Sequence, residues 1–519
     1  MIYPYRNFYE MIQANAKSYA KKTMMFIDDE KISNAQFLDR VDAFACFLLH
    51  SGMREDDKIA LITPNSIEFL VSFFAICKIG AVVVPINNML KEEEYKYILN
   101  DADVRLLITS FKYAAQTQNL RESTGIEATV WIDRLPEKEK EKEKEEEEDV
   151  LFSDAILIPI TEKKVEVNRK IDDLAVLIYT SGTTGYPKGA MLSYKNIFSN
   201  LHGGQERFGL KQKDRFIVYL PMFHSFTLSI SVLLPIFIGG SMVIIPSVLP
   251  FSNIIKQTLL KRVTIFLGIP DVYNALVRAK LPWYFLWFNS VRAFVSGGAA
   301  LSEDTLTRFN AIFKRSRMLE GYGLSECSPA VAINPLNKQK PLSIGLPLDG
   351  FETKIVDEEM LEVPRGQVGE LIVKGDCVMM GYWKRPTATD EAIINGWVRT
   401  GDLGKIDEEG YIYIVDRKKD LIISKGINIY PREIEEVLYH HPSIKAAAVI
   451  GIKDENSGEI PIAYIENDTE AESLTEHEVK VYLKQHLANF KIPKSIYFLE
   501  ELPKTATGKV LKRVLKEKH

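Results

Sequence analysis

The sequence predicts an α/β protein: a large N-terminal domain of helix-covered sheets plus a β-rich subdomain, followed by a small α+β C-terminal domain. Three observations predict this. Strand-like and helix-like apolar patterns alternate through roughly the first hundred residues; a glycine-punctuated, strand-rich stretch runs from about 343 to 415; and the pattern changes again over the last hundred or so. At 519 residues and 46% hydrophobic content, the chain is too long for one core and too apolar for disorder.

Taken in order, Ser33 and Gln36 have capping-box spacing, and Phe37, Val41, Phe44 and Leu48 then recur at helical intervals, which predicts an amphipathic helix. A short apolar run at 59–62, a helix-like SIEFLVSFFAICKIG, a strand-like AVVVPI, a helix-like EEEYKYILNDAD and a strand-like VRLLIT follow. Alternation of this kind implies a largely parallel sheet covered by helices. The run at 137–149, EKEKEKEKEEEED, interrupts it with nine acids against four lysines. Such a run buries nothing and reads as a solvated insertion. It accounts for the whole net charge of −5, so the rest of the chain is balanced. With a pI near 6.0, that balance argues against nucleic acid as the main partner.

Cys46, Cys77, Cys327 and Cys377 form no CxxC pair, which points to a reducing compartment without structural zinc. The N-terminus, MIYPYRNFYEMIQANAKSYAKK, lacks the apolar core of a secretory signal, so a cytoplasmic protein is expected. From 216 to 255 no residue carries a formal charge. Pro221, Pro235 and the Gly239-Gly240 pair cut this block into strand or short-helix lengths, which predicts a buried layer rather than a membrane span.

Beyond the insertion, LAVLIYTSGTTGYPKGAMLSYKNI reads as strand, glycine-rich loop and helix. Its loop gathers Thr180, Ser181, Gly182, Thr183, Thr184, Gly185 and Lys188. Glycines let backbone N–H groups approach an anion, hydroxyls donate and the lysine adds positive charge, so the loop is suited to cradle phosphate. No GxxxxGK[ST] spacing occurs in the chain, which disfavours an ordinary P-loop ATPase or kinase. Two further strands end in the turns RAFVSGGAAL and RMLEGYGLSECSP. Near the C-terminus, PREIEEVLYHHP and EHEVKVYLKQHLANF read as helices and AAAVIGI and IAYIEN as strands, with a domain boundary near Asp416.

Five segments resemble, in order, the successive core motifs of the adenylate-forming enzymes: TSGTTGYPKG, YGLSE at 322–326, RTGD at 399–402, DRKKDLIISKGINIYPREIEEVL at 416–438 and PKTATGK at 503–509. The wording is most similar to bacterial long-chain fatty acid CoA ligases. The resemblance implies a two-step reaction using ATP, Mg²⁺ and coenzyme A, in which a carboxylate forms an acyl-adenylate and a thiol then displaces AMP. It also implies roles. The loop from Thr180 to Lys188 would hold the β- and γ-phosphates, and Glu326 would ligate Mg²⁺ with help from Ser325 and Thr180. Asp402 would accept from the ribose hydroxyls, with Arg417 beside it. The turn Gly321, Tyr322 and Gly323 would lie against adenine, with Tyr322 stacked on it, and Lys509 would reach the α-phosphate. It further implies an N-terminal domain over 1–415, a hinge over 416–420 around Lys419, and a mobile C-terminal domain over 421–519. That domain would bring Ser424, Lys425 and Gly426 to coenzyme A.

Small-acid relatives close the acyl pocket with a tryptophan at the position of Gly323, so the resemblance implies an open floor here. Walls are expected from Phe223, His224, Phe226, Gly297, Gly298 and Ala299, with His224 as an aromatic gate. A medium- to long-chain fatty acid is the expected substrate. The alternatives are an aryl or other acid, acyl carrier protein as acceptor, or a non-catalytic acyl- or nucleotide-binding protein. One segment departs from the relatives: LPWYFLWF at 281–288 places five aromatics in eight residues. It reads as a core element, a homodimer contact or a peripheral contact with the inner face of the membrane.

Overall fold

The computed structural model describes residues 3–133, 149–157, 169–180, 186–279, 281–454, 457–468, 474–505 and 508–519. Most of the acidic run and the loop residues Ser181, Gly182, Thr183, Thr184 and Gly185 lie outside the described residues. The architecture is the expected one. Two large sheets, one of nine strands and one of eight, make up the N-terminal part. In the nine-stranded sheet six neighbouring strands, Arg317–Gly323, Ala293–Ser296, Ile265–Gly268, Arg215–Val218, Ser241–Ile244 and Thr23–Ile27, run parallel. The eight-stranded sheet has a parallel centre that includes Leu174–Thr180, Val82–Pro85 and Lys58–Ile62.

The main core lies between these sheets. Helix Ile67–Lys78 shows why: every residue except Glu68 is buried, Ser66 caps its N-terminus by accepting from the Phe69 N–H at 3.1 Å, and Phe73 and Phe74 are fully enclosed. Each such phenylalanine contributes about 1.5–3 kcal/mol on burial. The predicted helix Asn34–His50 forms with its full Ser33–Gln36 capping box. The uncharged block divides as its prolines and glycines require, into strand Arg215–Val218, the wide helical turn Thr227–Leu233, the short helix Leu234–Phe237 and strand Ser241–Ile244. No helix of the described residues is long and apolar enough to cross a membrane.

The expected order of strand, loop and helix at 174–208 is corrected in one respect. A second strand, Lys188–Ser193, pairs antiparallel with Leu174–Thr180 before helix Tyr194–Phe208 begins, so the glycine-rich loop closes a hairpin instead of opening a helix. Its local sequence hides this because the pairing partner lies across the loop.

A five-stranded antiparallel sheet built on Phe351–Val356, Gly369–Gly375 and Trp397–Ile406 forms the β-rich subdomain, and its strand Ile412–Arg417 leads into the turn Lys418–Asp420. The C-terminal part has its own sheet and its own core around Ile422, Ile434, Val449, Ile465 and Leu483. It touches the large domain through Lys504 Nζ, 2.9 Å from Asp271 Oδ2, and Arg278 Nη1, 2.5 Å from Asp468 Oδ2.

Candidate active site

A cavity of about 660 Å³ opens at the carboxyl ends of parallel strands from both large sheets, where Pro85, Thr180, Val295 and Gly321 meet. Open α/β sheets place ligands at such ends. Residues far apart in sequence line it together: Thr180 and Lys188 from the hairpin, Phe223, His224 and Phe226, Gly297 and Gly298, Gly321 to Glu326, Asp402, Arg417, Lys419 and Lys509.

Thr180 and Lys188 are direct cross-strand partners. The pairing therefore brings both to the cavity together. Lys188 Nζ sits 5.3 Å from the ring centre of Tyr382, and the Tyr382 hydroxyl donates to Glu326 Oε1 at 2.8 Å. Burial and the Glu326 charge push the Tyr382 phenol well up, so it stays a donor. Tyr382 has no motif signal of its own; it reaches the site because Gly381–Tyr382 pairs with the edge of strand Lys188–Ser193. Ser325 turns instead to Ser225, the two Oγ atoms being 2.9 Å apart.

Asp402 and Arg417 face each other across antiparallel strands, with Arg417 Nε 3.3 Å from Asp402 Oδ1. The Tyr322 hydroxyl donates to the other carboxylate oxygen. Lys509 enters from the C-terminal domain on a tight loop in which Thr505 N–H donates to the Lys509 carbonyl at 2.8 Å and the Lys509 N–H donates to Thr505 Oγ1 at 3.2 Å. Burial lowers its ammonium pKa to about 7; Arg417 and Lys419 act in the same direction and Asp402 opposes them. Lys419 is also shifted down, first by burial and then by Arg417. Three cationic groups thus crowd one end of the cavity, an arrangement that favours an anion between them.

The other end is apolar. Gly204 and Phe208 of helix Tyr194–Phe208, Ile230, Phe223, Ala332, Ile333 and Leu348 wall it. His224 lies at the junction. Its Nδ1 accepts from the Phe226 N–H at 3.3 Å, and burial pushes its pKa down to about 4, so the ring is neutral and carries its proton on Nε2. The tip of the Phe226 ring packs against Gly297, where a Cβ would come within 2.7 Å of Cζ.

One expectation needs correction, and two gain detail. Ala299 does not line the cavity: Gly298, at φ +83°, reverses the chain and carries Ala299 to solvent. Ser424, Lys425 and Gly426 form the turn of the hairpin Ile422–Ser424/Ile427–Ile429, outside the cavity that Lys509 lines; the role expected of them belongs to the second step, after the C-terminal domain has moved. Gly323 lines the cavity but is held by its backbone, since a Cβ would stand 2.1 Å from the Pro329 carbonyl oxygen. A side chain there has to displace strand Ala330–Ile333 before it can fill the floor.

The profile of the AMP-binding enzyme family matches residues 12–383, and that of the AMP-binding enzyme C-terminal domain matches 433–509. The chain belongs to the AMP-binding enzyme family. Long-chain-fatty-acid–CoA ligases of Escherichia coli and Bacillus subtilis are 33% and 34% identical to it, over 99% of this chain and 94% and 95% of theirs. The structure of the anthranilate CoA ligase AuaEII in complex with anthranoyl-AMP matches with a TM-score of 0.89 at 28% identity, covering 99% of this chain and 97% of that one. This AMP-binding enzyme is an adenylate-forming ligase, and its cavity gathers Thr180, Lys188, Glu326, Asp402, Arg417 and Lys509 from separate motifs.

Proposed function

We propose that this ligase activates a medium- to long-chain fatty acid with ATP and passes the acyl group from the adenylate to coenzyme A, in the cytoplasm. One observation carries the reading: a single cavity has a cationic end formed by Lys188, Arg417, Lys419 and Lys509 and an apolar end formed by Phe208, Ile230, Ile333 and Leu348. A carboxylate with a long alkyl chain matches both ends. At about 0.8 kcal/mol per buried CH₂, eight further methylenes are worth about 6 kcal/mol, enough for strong preference over acetate. The two fatty-acid relatives support the same choice.

Adenylation brings a carboxylate against a polyphosphate, so the site must offset charge where it accumulates. In this reading Lys188 and the 181–185 loop hold the β- and γ-phosphates, Asp402 accepts from the ribose hydroxyls, and Lys509 stands between the carboxylate and the α-phosphate as pyrophosphate leaves. Glu326 and Thr180 would hold Mg²⁺. Among the described residues no cluster of three or more His, Cys, Asp or Glu is present to cage a metal, which fits a cation that keeps waters and takes substrate oxygens. When bound, Mg²⁺ supplies neutralisation of the phosphate charge. Tyr382 keeps Glu326 in place, and neutral His224 borders the acyl chain without placing a charge beside it.

Thioester formation needs the thiol where Lys509 now sits. Withdrawing the 504–510 loop by rotation at Lys419 clears that path and would bring Ser424, Lys425 and Gly426 toward the pantetheine arm.

The test is a panel of acids from acetate to octadecanoate, with benzoate and anthranilate, assayed for pyrophosphate with and without coenzyme A. The reading expects kcat/KM to rise with chain length and acyl-CoA to accumulate. A higher kcat/KM for anthranilate than for decanoate overturns the fatty acid, and adenylate that coenzyme A leaves unconsumed overturns the acceptor.

A further inference from the structure

The helix Trp283–Phe288 caps the outer layer on one face of the nine-stranded sheet. Phe285 alone among its rings is buried, in the core shared with Phe294 and Phe313. Trp283, Tyr284, Trp287 and Phe288 are 68%, 47%, 63% and 67% exposed. These rings form one ledge: Trp283 packs edge-on against Tyr284 and Phe288, at 6.1 and 6.2 Å between centroids. The neighbouring helix Phe251–Leu260 touches this one and adds exposed Leu260, with exposed Leu249 just before it. Contiguous exposed apolar patches of this kind mark contact surfaces, and the described residues leave about half or more of each of these rings exposed.

The layer that carries the ledge has more basic than acidic residues. In sequence the stretches 246–262, 272–302 and 305–319 carry three, three and four Lys or Arg and not one Asp or Glu. Of these, Arg278, Arg292 and Arg308 are paired with Asp468, Asp214 and Asp304, which leaves Lys256, Lys261, Arg262, Lys314, Arg315 and Arg317 with no carboxylate partner among the described residues. Arg315 stacks over Trp287 at 5.4 Å and donates to its carbonyl at 2.9 Å, so a cation is fixed at the edge of the aromatic surface. Of the three carboxylates between these stretches, Asp271 is engaged by Lys504, Asp304 by Arg308, and Glu303 is exposed.

We infer that this ledge docks the enzyme on the surface of an anionic phospholipid bilayer, with the tryptophan and tyrosine rings at headgroup level and the surrounding Lys and Arg facing lipid phosphates. Tryptophan and tyrosine suit that zone because one molecule of each offers an apolar body and a polar N–H or O–H. Clustered basic residues add attraction to anionic lipid, screened by salt. A second copy fits less well, since a two-fold contact sets like charges face to face and interface cores are poor in lysine. Single-stranded nucleic acid also seeks rings among cations, but Leu249 and Leu260 offer a base nothing to stack on. The inference is independent of which acid the ligase activates, because it concerns a surface outside the cavity.

The experiment uses the full chain with vesicles of pure phosphatidylcholine and of phosphatidylcholine mixed with phosphatidylglycerol. Co-sedimentation is expected with the mixed vesicles only, reversed when salt is raised from about 0.05 to about 0.5 M. Trp283→Ser with Trp287→Ser should lower partitioning by about tenfold or more, and Lys256→Glu with Lys314→Glu should reduce it in the mixed vesicles. Both variants should keep pyrophosphate-forming activity in vesicle-free buffer. Brominated lipid should quench wild-type tryptophan fluorescence, a readout that needs no variant. Unchanged partitioning of the folded tryptophan variant overturns the inference. So does a wild-type dimer that the same substitutions dissociate, or binding of a single-stranded oligonucleotide in preference to the mixed vesicles.

Discussion

The carboxylate of Asp402 is held on both sides, by Arg417 Nε 3.3 Å from Oδ1 and by the Tyr322 hydroxyl on Oδ2. The side chain is nearly buried, and the strand register that pairs it with Arg417 fixes its direction. A carboxylate so held is preorganised to accept from a diol, since its orientation is settled before ligand arrives. Hydrogen bonds to a charged acceptor contribute about 1.5–3 kcal/mol each, so Asp402→Ala should weaken AMP and ATP binding by about ten- to a hundredfold. Titration calorimetry on the folded variant checks this. An unchanged AMP affinity would remove Asp402 from the nucleotide site.

Lys509 should show its role in two ways. Lys509→Ala should abolish pyrophosphate release while thioester formation from supplied acyl-adenylate continues at near wild-type rate; equal loss of both steps contradicts the assignment. Its pKa of about 7 also makes a proton prediction. At pH 8 the ligand-free group is mostly neutral, and a polyphosphate beside it raises the pKa, so ATP binding should take up about one proton. Calorimetry in two buffers of different ionisation heat measures that number, and Lys509→Met should remove it.

Sequence patterns made the sheets and helices legible wherever burial repeats at a local period. Asn34–His50 was readable from cap and apolar spacing and Ile67–Lys78 from its apolar run, because both bury their apolar residues against neighbouring helices and strands. The motif residues were readable by resemblance, and the cavity brings Thr180, Lys188, Glu326, Asp402, Arg417 and Lys509 together. Contacts set by long-range pairing were not readable. Tyr382 meets Glu326 across 56 residues only because an edge strand docks on Ala190 and Met191. Ala299 points outward because of one positive φ at Gly298, which the string SGGAA does not reveal.

Tyr382 yields a prediction of its own. Its hydroxyl donates to Glu326 while its ring lies near Lys188, so it couples the two groups proposed to serve the phosphates. Tyr382→Phe keeps the ring and loses the donor. The expected result is an adenylation kcat lower by about tenfold, corresponding to about 1.4 kcal/mol, with a higher Mg²⁺ concentration needed for half-maximal rate. Thermal stability should change little, because only a half-buried hydroxyl is removed. A variant with wild-type kcat and wild-type Mg²⁺ dependence would show that Glu326 needs no positioning.

Glu320 offers a test of stability against pH. It lies buried on strand Arg317–Gly323, accepts from the Leu342 N–H at 2.9 Å, and is shifted up to about 7, chiefly by burial. Arg432 pulls in the opposite direction and Glu436 adds to the rise. A carboxyl whose folded pKa exceeds its unfolded value of 4.5 binds a proton more tightly in the folded state. Its favourable contribution is therefore complete below about pH 4.5 and is lost as pH rises through 7. Replacing it by glutamine keeps the acceptor for Leu342 and removes the charge. Glu320→Gln should then match wild-type stability near pH 4.5 and exceed it above pH 7.5 by up to about 3 kcal/mol. Urea unfolding at several pH values reads the difference directly. A gain of equal size at pH 5 and pH 8 would mean that titration of Glu320 is not its source.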